Sequence, residues 1–156
     1  MECYEGATMI KTFRGKIAAA NQDTIVLHTN DGSTGYRVVK FQVMPDDPFS
    51  QTVKHVMKIY KVSQTSIDDS VDFSDNKLLG VGTYMESVDL DQAGYGTVVF
   101  DKEIFNQDIY ITHSEVTASQ PGNYYIELEQ VKLDLGENTV ATLKDIRNKE
   151  LRTMIA

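Results

Sequence analysis

Apolar and polar residues alternate with a period of two along most of the chain, and turn-forming residues interrupt this alternation at short intervals. The pattern is typical of half-buried β-strands. In the clearest segment Tyr124, Ile126 and Leu128 are expected to face the core. Strands are predicted over residues 9–16, 24–29, 36–44, 53–62, 78–84, 97–100, 108–113 and 124–131. The predicted fold is an all-β antiparallel β-sandwich, jelly-roll-like, with about eight strands.

Three local features refine this prediction. The apolar positions change phase at Val38-Val39, as a β-bulge or a strand buried on both faces would require. The sequence 30–33 (Asn-Asp-Gly-Ser) provides turn chemistry suited to a tight hairpin. Gly80 and Gly82 fall on one face of their strand, which indicates a close approach by another backbone or a bulge.

The chain of 156 residues has no internal repeat and no clear linker, which favours a single β-sandwich domain over 1–156 with short N- and C-terminal arms. Residues 139–143 favour a strand followed by a tail, although Leu143, Ile146 and Leu151 could instead lie along one side of a short helix. The single cysteine allows no disulfide within the chain and no cysteine zinc site. We see no signal peptide or membrane-spanning run, so synthesis in a cytoplasm without secretion is expected.

The acidic balance argues against binding to nucleic acid or to anionic membranes. The chain has 23 acidic and 15 basic side chains, a formal net charge of −8. Residues 68–108 contain ten acidic residues and two lysines, so they account for this imbalance. We expect these acidic loops to face solvent and the more neutral remainder, with the termini, to face a partner. The expected solvent-facing residues are Asp68, Asp69, Asp72, Asp75, Glu86, Asp89 and Asp91.

No residue pattern predicts a catalytic, metal or cofactor site. The aspartates of 68–75 could supply oxygen ligands to calcium, but their spacing is not that of an EF-hand, and a solvated loop is favoured. His28, His55 and His113 lie in separate predicted strands without zinc-site spacing, so isolated histidines are expected. A G-x-S-x-G nucleophile elbow is absent. A hydrolase with a scattered site is the least favoured alternative, and the chain is not expected to be an enzyme.

Several residues are candidates for an interface with other proteins. Tyrosine is useful in interfaces because its ring is apolar and its hydroxyl is polar, although a half-buried tyrosine on a sheet is common. The apolar residues near the two ends of the chain could dock on a neighbouring subunit or fray. The candidates are Cys3, Tyr4, Tyr110, Tyr125, Leu151, Met154 and Ile155.

Five blocks resemble a family of small virion structural proteins of marine tailed bacteriophages. They are residues 28–41 (HTNDGSTGYRVVKF), 58–64, 71–76, 100–113 (FDKEIFNQDIYITH) and 141–148 (ATLKDIRN). The resemblance implies an assembly role, a location in the virion after synthesis in the host cytoplasm, and no catalytic residues. The expected role is decoration or cementing of the capsid exterior, with the major capsid protein, other virion proteins or further copies of the chain as partners. The alternative is a receptor- or glycan-binding module of a tail or capsid projection.

Overall fold

The structure is a computed structural model that describes residues 9–134. Within that range the chain forms eight strands and no helix. The predicted terminal arms and the predicted strand 139–143 lie outside the described residues. The strands are β1 (Ile10–Ile17), β2 (Asn21–Ile25), β3 (Thr34–Pro45), β4 (Val53–Tyr60), β5 (Leu78–Ser87), β6 (Gln92–Val99), β7 (Ile109–Ser114) and β8 (Gly122–Lys132).

The strands form two antiparallel sheets. One sheet has three strands in the order β1-β8-β3, and the other has five in the order β2-β7-β4-β5-β6. This confirms the all-β class, the antiparallel sandwich and the strand number. The jelly-roll expectation is not confirmed: β6 pairs with β5 along its whole length rather than with β3, so the two sheets differ in size.

The hydrophobic core lies between the two sheets. Tyr124, Ile126 and Leu128 of β8 point into it, as the alternation predicts, and Ile126 and Leu128 are fully buried. They pack with apolar residues from the inner face of the larger sheet, including Ile59 and Ile111. Burial of each such aliphatic side chain stabilises the fold by about 1.5–3 kcal/mol. The alternation of apolar and polar residues in β8 therefore identifies which of its side chains face the core.

The predicted irregularity in β3 is a β-bulge. The register against β8 shifts between Val38 and Lys40, so Val39 is the additional residue. Val38 and Phe41 on either side of the bulge both face the core, with exposures of 0% and 2%. The close approach predicted at Gly82 also occurs, but the approaching atoms belong to side chains of β3 rather than to a backbone.

Two sequence expectations about strands are wrong. Gly32 has a φ of 66°, and the Ser33 N–H donates to the Asp31 carboxylate (3.1 Å), so the predicted turn is present. However, the turn carries the chain from one sheet to the other, because β2 pairs with β7 and β3 pairs with β8. The strand predicted over 97–100 is wrong in its extent, because β6 has eight residues, begins at Gln92 and ends at Val99, and it is largely exposed.

The outer face of the five-stranded sheet has a second, smaller hydrophobic cluster, formed by Val56, Tyr60, Leu78 and Val81. Residues 61–77, which join β4 to β5, contact this face through hydrogen bonds. Lys58 is buried at its centre, and its ammonium group donates to the Ser70 carbonyl oxygen (2.6 Å) and to Asp68 (3.2 Å). The acidic loop is therefore attached to one face of the sandwich.

Candidate functional site

An open groove of about 1040 Å³ lies between the edge of β3 and the β5–β6 hairpin. It exists because β6 extends beyond the smaller sheet, which leaves the inner face of β6 uncovered at Tyr95 and Thr97, whereas Val99 packs against the core. Tyr95 on that face is 86% exposed. The lining residues are Arg14, Gly15, Val39, Lys40, Phe41, Gln42, Val43, Met44, Thr83, Tyr84, Tyr95, Gly96, Thr97, Val99, Asn123, Tyr124 and Tyr125.

The β3 side of the groove offers unpaired backbone groups. The Gln130 N–H donates to the Met9 carbonyl oxygen (2.8 Å), so even-numbered residues of β8 bond toward β1 and odd-numbered ones toward β3. Phe41 and Val43 lie opposite even-numbered residues of β8, and their N–H and C=O groups therefore point away from β8. Within residues 9–134 no other backbone or side chain hydrogen-bonds to these groups. The groove thus has a free sheet edge.

The charge of the groove differs from that of the chain. Its lining includes Arg14 and Lys40 but no aspartate or glutamate, although the whole chain has a net charge of −8. The Lys40 ammonium group lies 5.8 Å from the centre of the Tyr125 ring, a distance suited to a cation–π contact. A partner with a neutral or acidic surface therefore fits this groove better than a basic one.

Four of the eight tyrosines line the groove, namely Tyr84, Tyr95, Tyr124 and Tyr125. The Tyr124 hydroxyl donates to Asp23 (3.3 Å), and burial together with this carboxylate raises the pKa of Tyr124 to about 12. Tyr124 is buried and its hydroxyl is bound to Asp23, so Tyr84, Tyr95 and Tyr125 are the tyrosines that can present apolar rings with polar tips along the opening. Such a surface is suited to contacts with proteins or sugars.

The predicted interface residues do not gather at one place. Tyr125 lines the groove, whereas Tyr110 is half-buried in β7, between β2 and β4, and does not line it. The other candidates lie outside the described residues; these are Cys3, Tyr4, Leu151, Met154 and Ile155.

The predicted acidic loops have separate environments. Asp89 and Asp91 are exposed in the turn between β5 and β6. The side chains in the 68–75 loop are partly or largely exposed, and each carboxylate has a different neighbour: Asp68 contacts Lys58, Asp69 contacts Lys54, Asp72 accepts from Ser74, and Asp75 accepts from the Lys77 N–H. Between residues 9 and 134 no three His, Cys, Asp or Glu side chains come together in a way that could hold a metal ion.

The expectation that Glu86 faces solvent is wrong. Glu86 is only 3% exposed, and both of its carboxylate oxygens accept the Phe49 N–H at 3.0 Å. Phe49 has a positive φ of 61°, which is uncommon for a residue with a side chain. Glu86 therefore fixes the loop between β3 and β4 instead of forming part of an acidic surface.

Two of the three histidines form a buried pair. His55 Nδ1 and His113 Nε2 are 2.8 Å apart, and both side chains have an exposure of 0%. His113 Nδ1–H donates to the Ile17 carbonyl oxygen (2.9 Å), so its Nε2 must accept the proton of His55 Nδ1–H. His55 Nε2 is then a buried acceptor without a partner among the described residues. The expectation of isolated histidines is wrong for this pair.

Burial lowers the pKa of both paired histidines, and for His55 the neighbouring His113 lowers it further. The pair is tightly enclosed, because a Cβ at Gly122 would lie 2.9 Å from His55 Nδ1 and 3.1 Å from His113 Nε2. Because both pKa values are lowered, both rings are neutral in the folded protein at neutral pH. His28 differs: it is exposed and its Nδ1 lies 2.7 Å from Asp108. Sequence spacing could not reveal the pair, since 58 positions separate its members.

Glu115 is a second buried polar residue that the sequence analysis did not identify. It is 2% exposed and accepts backbone N–H groups from Lys54, Thr117, Ala118 and Gln120. Burial raises the pKa of Glu115, but these four donors outweigh it and hold the pKa below its usual value. Glu115 thus organises the turn after β7.

No protein-family model matches the chain, and no curated protein matches it. In the part that the structure describes there is also no helix long and apolar enough to cross a membrane. The groove is therefore the main basis for assigning a role. What it presents is a free strand edge, tyrosine rings and two basic side chains.

Proposed function

We propose that this protein is a virion structural protein of a tailed bacteriophage that decorates or cements the capsid exterior by stoichiometric binding. Its partner is the major capsid protein or another virion protein. The proposal starts from the resemblance of residues 28–41 and 100–113 to virion proteins. The first of these blocks includes Val39, Lys40 and Phe41, which line the groove.

The observation that carries the proposal is the free β3 edge at the groove. An extended segment of a partner can hydrogen-bond to the outward-facing groups of Phe41 and Val43 while its side chains lie against Tyr95 and Thr97. This mode of binding needs no reactive group and adds buried area between neighbouring subunits. Arg14 and Lys40 favour a partner segment without basic residues.

The primary experiment is quantitative mass spectrometry of purified virions. Hundreds of copies per particle are expected for a decoration protein. A few copies per particle would indicate a position in the neck or tail, and a copy number near zero would refute the proposal.

The groove is tested by adding purified protein back to particles that lack it. Lys40→Glu reverses a charge in the groove and should weaken binding at least tenfold. Lys132→Glu makes the same change at an exposed site outside the groove lining and should bind as the wild type does. Equal binding by the two variants would show that the partner does not use the groove.

A second candidate function is recognition of a glycan or receptor at a tail or capsid projection. The observation that favours it is that Tyr84, Tyr95 and Tyr125 line the groove together with Gln42 and Asn123, since aromatic faces and amides are suited to sugars. A glycan array tests this role, with Tyr95→Ala as the variant because its side chain is 86% exposed and contributes little to packing. Binding that Tyr95→Ala abolishes would support this role over decoration, and an array without signal would favour decoration.

A further inference from the structure

Strand β6 is an unprotected sheet edge. Its eight residues, Gln92–Val99, include no charged residue and no proline, and its register against β5 is continuous, without a bulge. All of them except Val99 are exposed. A long, flat, uncharged edge is the kind of strand that pairs readily with another chain.

The other edge strands of the described sandwich carry features that limit pairing with another chain. β1 has three basic residues, and β2 is only five residues long and contains Asp23. β3 has the bulge at Val39 and ends at Pro45, and its first part is covered by paired hydrogen bonds between Tyr36 and Phe105. Proteins use these same features to block edge-to-edge association. Among the described edges, β6 is therefore the one without a charged residue, a bulge or a proline, whereas β3 leaves free only the short stretch around Phe41 and Val43.

The outward-facing groups of β6 follow from its hydrogen bonds to β5. The Phe100 N–H donates to the Leu79 carbonyl oxygen (3.0 Å), so even-numbered residues bond toward β5 and odd-numbered residues point away from it. The N–H and C=O groups of Ala93, Tyr95, Thr97 and Val99 are therefore directed outward. No hydrogen bond from elsewhere in residues 9–134 reaches them.

We propose that two copies of this chain associate through antiparallel pairing of their β6 strands. A second β6 fits this edge because it is equally long and uncharged, whereas β1 or β2 of another copy would bring charged side chains to it. A twofold axis makes the contact self-complementary. The result is one continuous ten-stranded sheet, two copies of the five-stranded sheet joined edge to edge.

In one register the outward-facing N–H and C=O groups of all four residues in each strand form hydrogen bonds with the partner strand. It places Ala93 opposite the partner's Val99 and Tyr95 opposite the partner's Thr97, with Gly96 next to its own copy on the twofold axis. Tyr95 and the partner's Thr97 are then cross-strand neighbours on the same face. This contact uses the backbone edge of β6 and not that of β3, although Tyr95 and Thr97 also line the groove. The tests below measure association of the free chain without capsid, so their failure would refute the dimer and leave the capsid role in place.

Disulfide cross-linking tests this register. In a Cys3→Ser background, Gly96→Cys places two thiols on the axis, at a non-hydrogen-bonded pair whose Cα atoms are about 4.5 Å apart. Such a separation permits a disulfide. Gly94→Cys is the matched control, because it lies on the same strand and the same face but four positions from its copy, roughly 14 Å away. A Cβ at either glycine meets no atom closer than 3.6 Å, so both variants should fold.

We expect the Gly96→Cys variant to form a linked dimer under mild oxidation at least ten times faster than the Gly94→Cys variant. Equal rates would overturn the register, and no linkage in either variant would overturn the pairing itself.

Sedimentation of the full chain up to millimolar concentration gives an independent measurement. Thr97→Pro removes one outward N–H and leaves the bonds to β5, so it should abolish the dimer. Thr12→Pro makes the same change at an outward N–H of β1 and should leave the dimer intact. Circular dichroism checks that both variants fold. A monomeric wild type, or a dimer that persists in folded Thr97→Pro, would refute β6 pairing.

Discussion

Replacing Gly82 by alanine should push the two sheets apart. The added Cβ would lie 2.7 Å from Val43 Cγ2 and 3.0 Å from ring carbons of Phe41. Carbon atoms in a packed core are normally about 3.5–4.0 Å apart, so these side chains would have to withdraw by roughly 0.5–1 Å. They have little room to do so, because Val43 is 9% exposed and Phe41 only 2% exposed.

The expected loss of stability follows from this overlap. Overpacking of a core costs about 1–3 kcal/mol, and the lower chain entropy of unfolded alanine returns about 0.4–1 kcal/mol. Gly82→Ala should therefore reduce the free energy of unfolding by about 1–2 kcal/mol. With a typical urea dependence of about 2 kcal/mol per molar, the unfolding midpoint should fall by roughly 0.5–1 M.

Urea unfolding followed by circular dichroism measures this shift. Gly94→Ala is the matched control, because a Cβ at that position on the adjacent strand β6 meets no atom within 4 Å. The control should match the wild type or be slightly more stable. If Gly82→Ala and Gly94→Ala had the same midpoint, the close contact between β3 and β5 would not limit the packing, and the reasoning would fail.

Three further outcomes are expected. The free energy of unfolding should fall as pH is lowered below about 6.5, because the folded protein lowers the pKa of His55 and His113 and the unfolded chain takes up protons first; equal values at about pH 7.5 and pH 5.5 would contradict this. Glu115→Gln should cost about 2–3 kcal/mol in urea unfolding, because an amide nitrogen would replace an acceptor of buried N–H groups. Calcium should leave the melting midpoint unchanged, because the carboxylates of residues 68–75 face different partners; an increase would reveal a site.

The strands with one buried face could be predicted from the sequence because their environment imposes an alternating pattern. In β8 every second residue is in the core, so Tyr124, Ile126 and Leu128 were identified correctly. The bulge was visible for the same reason, since one additional residue at Val39 reverses the phase of the pattern. Local sequence is sufficient to predict a strand and its core residues wherever buried and exposed positions alternate along that strand.

The β6 strand was predicted poorly because both of its faces are exposed. Its first residues, from Gln92 to Gly96, have no alternation, and their extended form comes from pairing with β5. The turn at Asp31 is a second case in which local sequence was not sufficient to predict the structure. Turn chemistry determines that the chain reverses there, but pairing with distant strands determines that no hairpin forms.

The candidate site depends still more on tertiary structure. Tyr125 was one of the candidate interface residues, and it lines the groove. The groove itself arises from the unequal size of the two sheets, which no local pattern encodes. The same holds for His55 and His113, whose proximity depends on the pairing of β4 with β7. Glu86 was misassigned because the N–H that it binds belongs to another loop.

The pairing of β1 with β8 has a consequence for how the protein folds. Ile10 lies opposite Glu129, so the first described strand finds its neighbour only after more than a hundred intervening residues have been synthesised. The smaller sheet cannot assemble on the ribosome while β8 is still in the exit tunnel, whereas the β4–β5–β6 meander can form earlier from nearby segments. Topologies dominated by such distant pairings fold in milliseconds to seconds rather than in microseconds. The smaller sheet therefore cannot close before β8 is available to pair with both β1 and β3.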